Sequence, residues 1–454
     1  MPIYQNKNVL VLGLGLSGIS ASEFLLAEGA QVWGSDHNVE QVRNNLEIQA
    51  LTEKGLRTCS EKEIGPLANF DFVVLSPGIP PSHSVVEAAM KASIPVIGEI
   101  ELGCRNVKNR MIGITGTNGK TTVTLLVAHV LNQCGHSAKA LGNVEVPITR
   151  ELLHLDPNSI IALELSSYQI ETFFHPSLDA GLLLNITPDH LDRYGNMEAY
   201  AAAKCALERN LKQGKYLYVE ENAWCNYGSM LKQEKIRLYG YSPSSYMYTD
   251  LLAVFKEGKF QFDLPAPLKN RKSHDLENLL AAYSVCSEFG VSGVAFINAY
   301  QTFSKPSHRI EFVAEANGIC FYDDSKGTNL DAVIRALQTF DGKVILIAGG
   351  VDKGAPYTPW VQEFKGKVKL ICAIGQAAGK IHRQIGPHIA VLIFNSLDEA
   401  VEHASACAVE GDIVLLSPGC ASYDMFKNYA HRGEEFQRIV HHIIVDWRKE
   451  GVRK

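Results

Sequence analysis

Apolar and polar positions follow two alternating patterns at the start of the chain. Short β-branched runs at Asn8–Leu12, Gln31–Gly34 and Phe72–Leu75 predict buried strands. After the first run, Gly13–Gly18 predicts a loop and the amphipathic stretch Ile19–Glu28 predicts a helix. Strands that alternate with helices predict a parallel sheet with right-handed crossovers.

The same alternation continues to the end of the chain. The further ranges predicted as strands are Met111–Ile114, Ile160–Leu165, Ala180–Asn185, Lys343–Ala348, Val368–Ile374, Ala390–Phe394 and Asp412–Leu416, with residues 214–268 rich in β structure. The further ranges predicted as helices are Thr121–Cys134, Ser273–Glu288, Leu330–Phe340 and Leu397–Ala408. The predicted fold class is α/β, with domains at 1–98, 99–305 and 306–454, each a mostly parallel, doubly wound sheet.

Composition narrows the class of protein. The chain has 454 residues and a net charge of −6, so we expect no broad surface for nucleic acid. Its ten cysteines form no CxxC pair, which argues against structural zinc and disulfides and fits a reducing compartment. Neither a signal peptide nor an apolar run of about 20 residues is present. We expect a cytoplasmic enzyme that is monomeric and makes no membrane contact.

The segment Gly113-Ile-Thr-Gly-Thr-Asn-Gly-Lys-Thr-Thr122 lies between a predicted strand and a predicted helix. Its glycines allow backbone N–H groups to surround a polyphosphate at the positive end of the helix. Lys120 would contact the terminal phosphates and Thr121 a Mg²⁺ ion. Ile114 replaces the first glycine of the usual GxxxxGK[ST] pattern, and a chance glycine turn is the alternative. The central domain is therefore predicted to be a P-loop-type ATPase, between two Rossmann-like domains.

Two neighbouring strand ends supply candidate metal ligands. Glu164 ends an apolar run, which suits a Mg²⁺ ligand, although a solvated glutamate would also fit there. His190 lies between Asp189 and Asp192 after another buried run, so it is a candidate metal or phosphate contact rather than a structural histidine.

A second glycine-rich loop lies near the N-terminus. Gly13–Gly18 has the spacing GxGxxG, and Asp36 follows the next predicted strand, as in dinucleotide-binding folds. An NAD-dependent oxidoreductase is the corresponding alternative, but it leaves the Lys120 loop unexplained. Two loops of this kind fit an enzyme that uses ATP and a separate diphosphate-linked substrate.

Several segments together resemble the Mur ligases, the ATP-dependent amide ligases of peptidoglycan precursor assembly. The general resemblance is carried by residues 116–122, 164–169, 185–192 and 324–326. Residues 13–18, 76–79 and 417–426 resemble the branch of that family that adds D-glutamate. Together these segments extend from about residue 8 to about residue 440.

The resemblance implies a reaction and its substrates. The L-alanine carboxylate of UDP-N-acetylmuramoyl-L-alanine (UDP-MurNAc-L-Ala) would take the γ-phosphoryl group of ATP and become an acyl phosphate. The amine of D-glutamate would then displace phosphate. This step would serve cell-wall synthesis, cell shape and cell division in the cytoplasm.

The resemblance also assigns residues to ATP and metal. Lys120, His190 and Lys204 would be catalytic, and Lys204 is expected to be carbamylated; an exposed helix lysine is the alternative. Two Mg²⁺ ions would be held by Thr121, Glu164, His190 and the Lys204 carbamate. The ATP-binding residues would be Gly116, Thr117, Asn118, Gly119, Lys120, Thr121, Thr122, Asn278, Arg309 and Asp324.

The remaining assignments concern the two other substrates. The UDP-linked substrate would contact Leu16, Ser17, Asp36, Gly78 and Asn143, and D-glutamate or phosphate would contact Lys326, Thr328, Lys353, Ser422, Tyr423 and Tyr429. Lys353 would supply a cation, with a solvated loop lysine as the alternative. Ser422 and Tyr423 would lie at a helix start. Asn38, Glu145 and Asp275 depart from the family pattern.

Two other interpretations remain open at this point. Another Mur ligase or a folylpolyglutamate synthetase-like ligase would share the ATP motifs, although the segment 417–426 argues against both. A non-catalytic nucleotide-binding switch would not need Glu164, His190, Lys204 and Asp324 together.

Overall fold

The computed structural model describes residues 3–144, 146–232 and 235–451, with the side chains of the last two residues excluded. Glu145, one of the three departures from the family pattern, lies outside the described residues. The chain divides into two compact units. The first unit comprises the chain up to Asn185 with Ala201–Asn270 and Glu277–Phe303, and the second comprises Ile186–Tyr200, Arg271–Leu276 and the chain from Ser304.

The N-terminal sheet is fully parallel, in the order β3-β2-β1-β4-β5. Its strands are β1 (Asn8–Leu12), β2 (Gln31–Ser35), β3 (Arg57–Cys59), β4 (Phe72–Leu75) and β5 (Val96–Gly98). The helices of this segment are α1 (Leu16–Ala27), α2 (Val39–Arg43), α3 (Leu46–Glu53), α4 (Ser84–Lys91) and α5 (Glu99–Arg105). This strand order is that of a Rossmann-like half, as the sequence predicts.

The prediction of a loop over the whole of Gly13–Gly18 is wrong, because α1 begins at Leu16. Ile19 N donates to Gly15 O at 2.9 Å, so the helical hydrogen bonds start inside the glycine motif. A Cβ on Gly18 would lie 1.9 Å from Gly13 O, which means that Gly18 allows a close approach within the helix rather than a turn.

The central sheet has nine strands in the order β14-β13-β12-β11-β10-β9-β6-β8-β7. They are β6 (Arg110–Thr115), β7 (Ala138–Gly142), β8 (Ile160–Glu164), β9 (Ala180–Leu183), β10 (Leu217–Glu220), β11 (Ile236–Gly240), β12 (Met247–Thr249), β13 (Ala253–Lys256) and β14 (Lys259–Asp263). All neighbours pair in parallel except β12–β13 and β13–β14. The predicted β-rich character of residues 214–268 is confirmed.

The helices of this middle segment are α6 (Lys120–Gln133), α7 (Ile148–Glu151), α8 (Ser167–Glu171), α9 (Leu191–Tyr194), α10 (Met197–Cys205), α11 (Glu221–Tyr227), α12 (His274–Cys286) and α13 (Gly293–Gln301). The sequence predicts the strand before α9 as Ala180–Asn185, but it ends at Leu183. It ends early because Asn185 is used as a loop clamp, as described below.

Helix α5 explains why the first two sheets belong to one compact unit. The buried Glu99 carboxylate accepts hydrogen bonds from Thr149 N at 2.8 Å and Thr149 Oγ1 at 2.7 Å. Glu101, also buried, accepts from the backbone N–H groups of Phe174 and His175 at 2.8 and 2.9 Å. These carboxylates bind α5 to the central segment. The predicted domain boundaries remain predictions.

The C-terminal sheet has the order β15-β16-β20-β17-β18-β19, with only β15–β16 antiparallel. Its strands are β15 (Glu311–Ala316), β16 (Ile319–Asp323), β17 (Val344–Gly349), β18 (Val368–Ile374), β19 (Ala390–Ile393) and β20 (Ile413–Leu416). Its helices are α14 (Leu330–Leu337), α15 (Pro359–Glu363), α16 (Ala378–Ile385), α17 (Leu397–Cys407) and α18 (Tyr429–Gly451).

Both faces of this sheet are covered. Alternate residues of β17 enter different cores: Leu346 packs with Trp360 of α15, and Ile347 packs with Phe436 of α18. A strand buried on both faces reads as a continuous apolar run, which is why the sequence predicted it well. The predicted fold class, three mostly parallel α/β domains, is confirmed. No helix in the described part of the chain has the length and apolar character needed to cross a bilayer.

Candidate active site

The phosphate loop connects β6, the third strand from the β7 edge of the central sheet, to α6. Strand β6 lies between β9 and β8, so the loop is flanked by the ends of both strands. Gly119 precedes Lys120, the first residue of α6, with φ 87°, and a Cβ there would lie 2.4 Å from Asn278 Oδ1. A glycine is therefore required, and Asn278 lies beside the loop at the start of the helix.

Asn185 clamps this loop from the end of β9. Its side-chain Oδ1 accepts from Asn118 N at 2.8 Å, and its Nδ2 donates to Asn118 O at 3.1 Å. Its backbone O accepts from Thr117 N at 2.8 Å. Asn185 was not among the predicted site residues, although a polar residue just past a buried strand next to the phosphate loop was a usable signal.

Two lysine ammonium groups meet at one carbonyl oxygen of the loop. Lys120 Nζ lies 3.0 Å from Gly116 O and 2.9 Å from Thr117 O, and Lys204 Nζ lies 2.7 Å from Gly116 O. Lys204 is 1% exposed, so the alternative of an exposed helix lysine is wrong. Helix α10 instead directs this lysine into the phosphate loop.

Glu164, the last residue of β8, is 1% exposed. Its Oε1 accepts from Asn143 Nδ2 at 2.8 Å, whereas its Oε2 is buried and has no hydrogen-bond partner. A buried carboxylate oxygen without a partner is costly unless a cation binds there. This observation fits the predicted metal role and excludes the solvated alternative.

The N-terminal loop is held by side chains from its own sheet. Asp36 Oδ2 accepts from Leu14 N at 2.9 Å, and Ser76 Oγ donates to Gly13 O at 2.8 Å. Leu16 is exposed and Ser17 is half-buried in the first turn of α1, where backbone N–H groups favour an anion. Open space surrounds the Cβ position of Gly78.

In the second unit, Lys353 is largely buried and ion-paired. Its Nζ lies 2.9 Å from Asp189 Oδ1, with side-chain exposures of 17% and 7%. Asn329 Nδ2 donates to the other oxygen of Asp189 at 3.3 Å. The alternative of a solvated loop lysine is therefore wrong. Asp189 itself was not predicted as a site residue, because its partner is distant in sequence.

His190 follows in a left-handed conformation, with φ 54°, at the start of α9. Its backbone N donates to Asp189 Oδ1 at 2.9 Å, and its ring is partly exposed. The Asp–His pair thus presents a carboxylate and an imidazole from one short turn.

Asp324 lies buried at the end of β16. Burial raises the pKa of its carboxyl to about 7, although a 2.7 Å hydrogen bond from Ser417 Oγ and the Arg309 charge act to lower it. Arg309 lies between His308 and Ile310, whose φ values are 62° and 51°. Backbone in this region is strained for such residues and is common at functional sites.

His308, Glu311 and Asp323 bring potential ligand atoms within 4.8 Å of one another. His308 Nδ1 lies 2.6 Å from Asp323 Oδ2, and Gln437 Nε2 donates to the same oxygen at 2.9 Å. The hydrogen bond to Asp323 raises the pKa of His308. These atoms are used in a hydrogen-bond cluster that supports the Arg309 turn.

The predicted helix start at Ser422 and Tyr423 is wrong. Residues 422–428 form turns, and α18 begins at Tyr429. Asn428 provides the cap, because its Oδ1 accepts from His431 N at 2.8 Å. Ser422 is nevertheless buried, while Tyr423 is 75% exposed.

Lys326 Nζ lies 3.6 Å from the centre of the Tyr429 ring, which makes a cation–π contact. Thr328 is half-buried just before α14. Of the departures from the family pattern, Asp275 pairs with Lys305 Nζ at 2.7 Å, and Asn38 Nδ2 donates to Gln41 Oε1 at 2.7 Å.

Three family descriptions match this chain in succession. They are the MurD-like N-terminal domain of Mur ligases at residues 7–98, the Mur ligase middle domain at 114–286 and the Mur ligase glutamate ligase domain at 308–420. The chain belongs to the Mur ligase family.

Individual relatives agree with this placement. The UDP-N-acetylmuramoylalanine--D-glutamate ligase of Protochlamydia amoebophila is 53% identical over 442 residues, which cover 97% of this chain and 99% of the relative. The ligase of the same name from Thermoanaerobacter pseudethanolicus is 37% identical, with coverage of 96% and 98%.

Solved Mur ligase structures share the fold. The UDP-N-acetylmuramate-alanine ligase MurC of Thermotoga maritima has a TM-score of 0.60 at 17% identity and covers 96% of this chain and 99% of its own. MurF of Thermotoga maritima, solved in complex with ADP, has a TM-score of 0.56 at 14% identity, with coverage of 97% and 96%.

The predicted site residues of this Mur ligase are divided between the two units. The first unit holds the phosphate loop, Glu164, Lys204, Asn278 and Asn143, together with the N-terminal loop. The second unit holds His190, Arg309, Asp324, Lys353 and the segment around Ser422.

Proposed function

We propose that this Mur ligase joins D-glutamate to UDP-MurNAc-L-Ala with conversion of ATP to ADP and phosphate. The ATP step rests on one observation, the phosphate loop between β6 and α6 with the Lys120 ammonium group on two of its carbonyl oxygens. The choice of amine rests on the likeness to D-glutamate ligases. We further propose that the enzyme acts as a cytoplasmic monomer in peptidoglycan precursor synthesis.

The chain's own groups suit phosphoryl transfer. The positive N-terminal end of α6, which begins at Lys120, favours a bound triphosphate, and the Lys120 side chain adds a charge at its terminal phosphate. A carboxylate oxygen of L-alanine attacks the γ-phosphorus, and the bond to ADP breaks. The amine of D-glutamate then attacks the acyl carbon, and inorganic phosphate leaves with the former carboxylate oxygen.

The metal proposal rests on the unpartnered, buried Oε2 of Glu164. Thr121, Glu164, His190 and carbamylated Lys204 would supply the ligands of two Mg²⁺ ions. When bound, Mg²⁺ neutralises phosphate charge. The chain's contribution is to supply the oxygen and nitrogen ligands.

Carbamylation of Lys204 would convert an ammonium group into a carboxylate-like ligand. Support comes from the burial of Lys204 and from the position of its Nζ, which lies 2.7 Å from Gly116 O in the phosphate loop. Incubation with ¹³C-bicarbonate should produce a carbamate signal in NMR spectra of the wild type that Lys204→Arg lacks. Equal spectra for the two proteins would contradict the modification.

The substrate contacts are proposed by unit. Lys353, Lys326 and Thr328, with the segment that holds Ser422, Tyr423 and Tyr429, would bind D-glutamate. Both substrate carboxylates need cations or N–H donors, and Lys353 is a largely buried cation whose carboxylate partner shows that this position accepts an anion. The remaining proposed contacts, to the UDP-linked substrate, are Leu16, Ser17, Asp36, Gly78 and Asn143.

The decisive test is phosphate release with a panel of amino acids. Release should require UDP-MurNAc-L-Ala and D-glutamate together, while L-lysine, L-alanine and L-glutamate should give only background. Equal release with L-lysine or L-alanine would contradict the assignment to D-glutamate.

A further inference from the structure

The loop after β17 carries Lys353, and a second lysine, Lys380, contacts this loop on both sides of Lys353. Lys380 of α16 donates from Nζ to Asp352 Oδ2 at 2.7 Å and to Ala355 O at 3.0 Å. These partners lie on either side of Lys353 and Gly354, and the latter has φ 86°. The contacts of Lys380 therefore close the turn from which the Lys353 side chain extends.

Tyr357 connects this turn to the segment that holds Ser422. Its hydroxyl donates to Asp352 Oδ1 at 3.2 Å and lies 3.0 Å from Cys420 Sγ. The ring is buried and packs edge-on against Trp360, with centroids 5.1 Å apart. Cys420 is fully buried and stands two residues before Ser422. The Asp352–Tyr357–Cys420 chain thus joins the two sides of the predicted amino-acid site.

The protonation states of Cys420, Tyr357 and Asp352 allow each hydrogen bond of this series to have one donor and one acceptor. Burial raises the pKa of Cys420 to about 11 and also raises the pKa of Tyr357, so the thiol and the phenol are both neutral. The thiol then donates to the Tyr357 oxygen, and the Tyr357 hydroxyl donates to the Asp352 carboxylate. Lys380 balances the charge of that carboxylate.

We propose that Asp352, Tyr357 and Lys380 form a positioning network that holds Lys353 at a set distance from Ser422 and thereby selects the length of the amino-acid substrate. The inference rests on the proposed function. D-Glutamate has two carboxylates separated by a fixed number of methylene groups, so a site with fixed anion-binding ends can reject a longer homologue. If the turn and the segment around Cys420 can shift, that selection weakens.

If Asp352, Tyr357 and Lys380 served only to stabilise the fold, their substitution would lower stability rather than change substrate selection. The Asp352–Lys380 pair is partly exposed, with side-chain exposures of 30% and 25%, and pairs of this kind contribute little to stability. Deletion of the Tyr357 hydroxyl leaves its buried ring in place. The network should therefore affect substrate selection more than folding.

The test compares Tyr357→Phe and Lys380→Met with two matched controls. Tyr322→Phe removes the hydroxyl of a half-buried tyrosine on β16, and Lys365→Met removes an exposed lysine near α15. Lys380→Arg serves as the conservative variant. For each protein one measures KM for D-glutamate, ATP and UDP-MurNAc-L-Ala, and the thermal midpoint. One also measures the kcat/KM ratio of D-glutamate to D-2-aminoadipate, which is one methylene longer.

We expect Tyr357→Phe and Lys380→Met to raise KM for D-glutamate roughly tenfold, as the loss of one hydrogen bond to a charged group predicts. The preference for D-glutamate over D-2-aminoadipate should fall roughly fivefold, on the same scale of free energy. KM for ATP and the thermal midpoint should match the controls. Lys380→Arg should restore most of the preference.

An unchanged preference or an unchanged KM for D-glutamate in both variants would overturn the positioning network while leaving the proposed function intact. A parallel rise of all three KM values with a lower thermal midpoint would also overturn it, because that is the result of a structural role. If the wild type releases no phosphate on addition of D-glutamate, the proposed function fails, and this inference fails with it.

Discussion

The loops that follow β6 and β17 contain similar residue types, but different contacts hold their lysines in place. Both follow buried parallel strands, contain glycines with positive φ and present a lysine. Lys120 is held by carbonyl groups of its own loop, at Gly116 and Thr117. Lys353 is instead held by the Asp189 carboxylate, which lies 164 positions away in the sequence.

This difference shows which kinds of site can be recognised from a sequence. The contacts of the Lys120 ammonium group are local, so Gly119 and Lys120 are recognisable from their spacing without a fold, although the distant Asn185 also supports the loop. The other loop depends on Asp189 and on Lys380, so its spacing alone fits a solvated surface turn equally well. The comparison can be tested by substituting each lysine, and then a residue that holds one of the loops in place.

The largest effect should follow from Lys120→Ala. Loss of this charge removes stabilisation of the transferring phosphoryl group, so kcat should fall about a thousandfold or more. Phosphate release at saturating substrates measures this, with Lys259→Ala on β14 as a control. A decrease in kcat of less than tenfold would contradict the role of Lys120 at the transferring phosphoryl group.

Lys353→Ala should have a smaller effect that excess substrate overcomes. Loss of one charged contact to a carboxylate should raise KM for D-glutamate by about 10- to 100-fold, with kcat nearly retained at high D-glutamate. Steady-state kinetics with varied D-glutamate would show this, and Lys365→Ala is the matched control. An unchanged KM would remove Lys353 from the amino-acid site.

Asn185→Ala tests the support of the phosphate loop. Without its hydrogen bonds to Asn118 the loop should be less ordered before nucleotide binds, and ADP affinity should fall about tenfold. Asn185→Asp keeps the acceptor but loses the donor, so its affinity should be intermediate. Calorimetric titration with ADP measures both, and wild-type affinity in the alanine variant would show that the clamp is dispensable.

The smallest effect concerns stability and leaves turnover unchanged. Burial raises the pKa of Glu99 to about 7 from an ordinary value of 4.5, against two hydrogen bonds from Thr149. The folded state therefore binds this proton more tightly than the unfolded state, and wild-type stability falls as pH rises from about 4.5 to about 7.

Glu99→Gln lacks this titration, so its stability relative to the wild type should increase through the same pH range and then level off. Between pH 5 and pH 8 the free energy of unfolding of the variant relative to the wild type should rise by about 2–3 kcal/mol. Urea unfolding at pH 5 and pH 8 measures the change. A difference that is the same at both pH values would show that Glu99 is not protonated in the folded protein at low pH.

The sequence was most informative where contacts are local or periodic. Strands such as Phe72–Leu75 were predicted to the residue, because burial on both faces leaves a continuous apolar run. Element ends were less well predicted where a tertiary contact decides them, as at Leu16, where Gly18 allows the helix to begin early, and at Asn185, which leaves the strand to clamp a loop.

For the site, the residue types were evident from the sequence but many of their environments were not. The phosphate loop, the strand-end Glu164 and the family motifs could be identified from spacing. The burial of Lys204, the pairing of Lys353 with Asp189 and the cap at Asn428 could not, since each requires residues that only folding brings together. Ser422 was therefore assigned to a helix start that actually lies at Tyr429.

The sequence by itself determined three α/β domains and the nucleotide loop, because hydrophobic period and glycine spacing act within a few residues. The tertiary structure decided which charged side chains are buried, and against which partners. Burial makes charge interactions strong and specific, and it depends on the packing of segments that are distant in the chain.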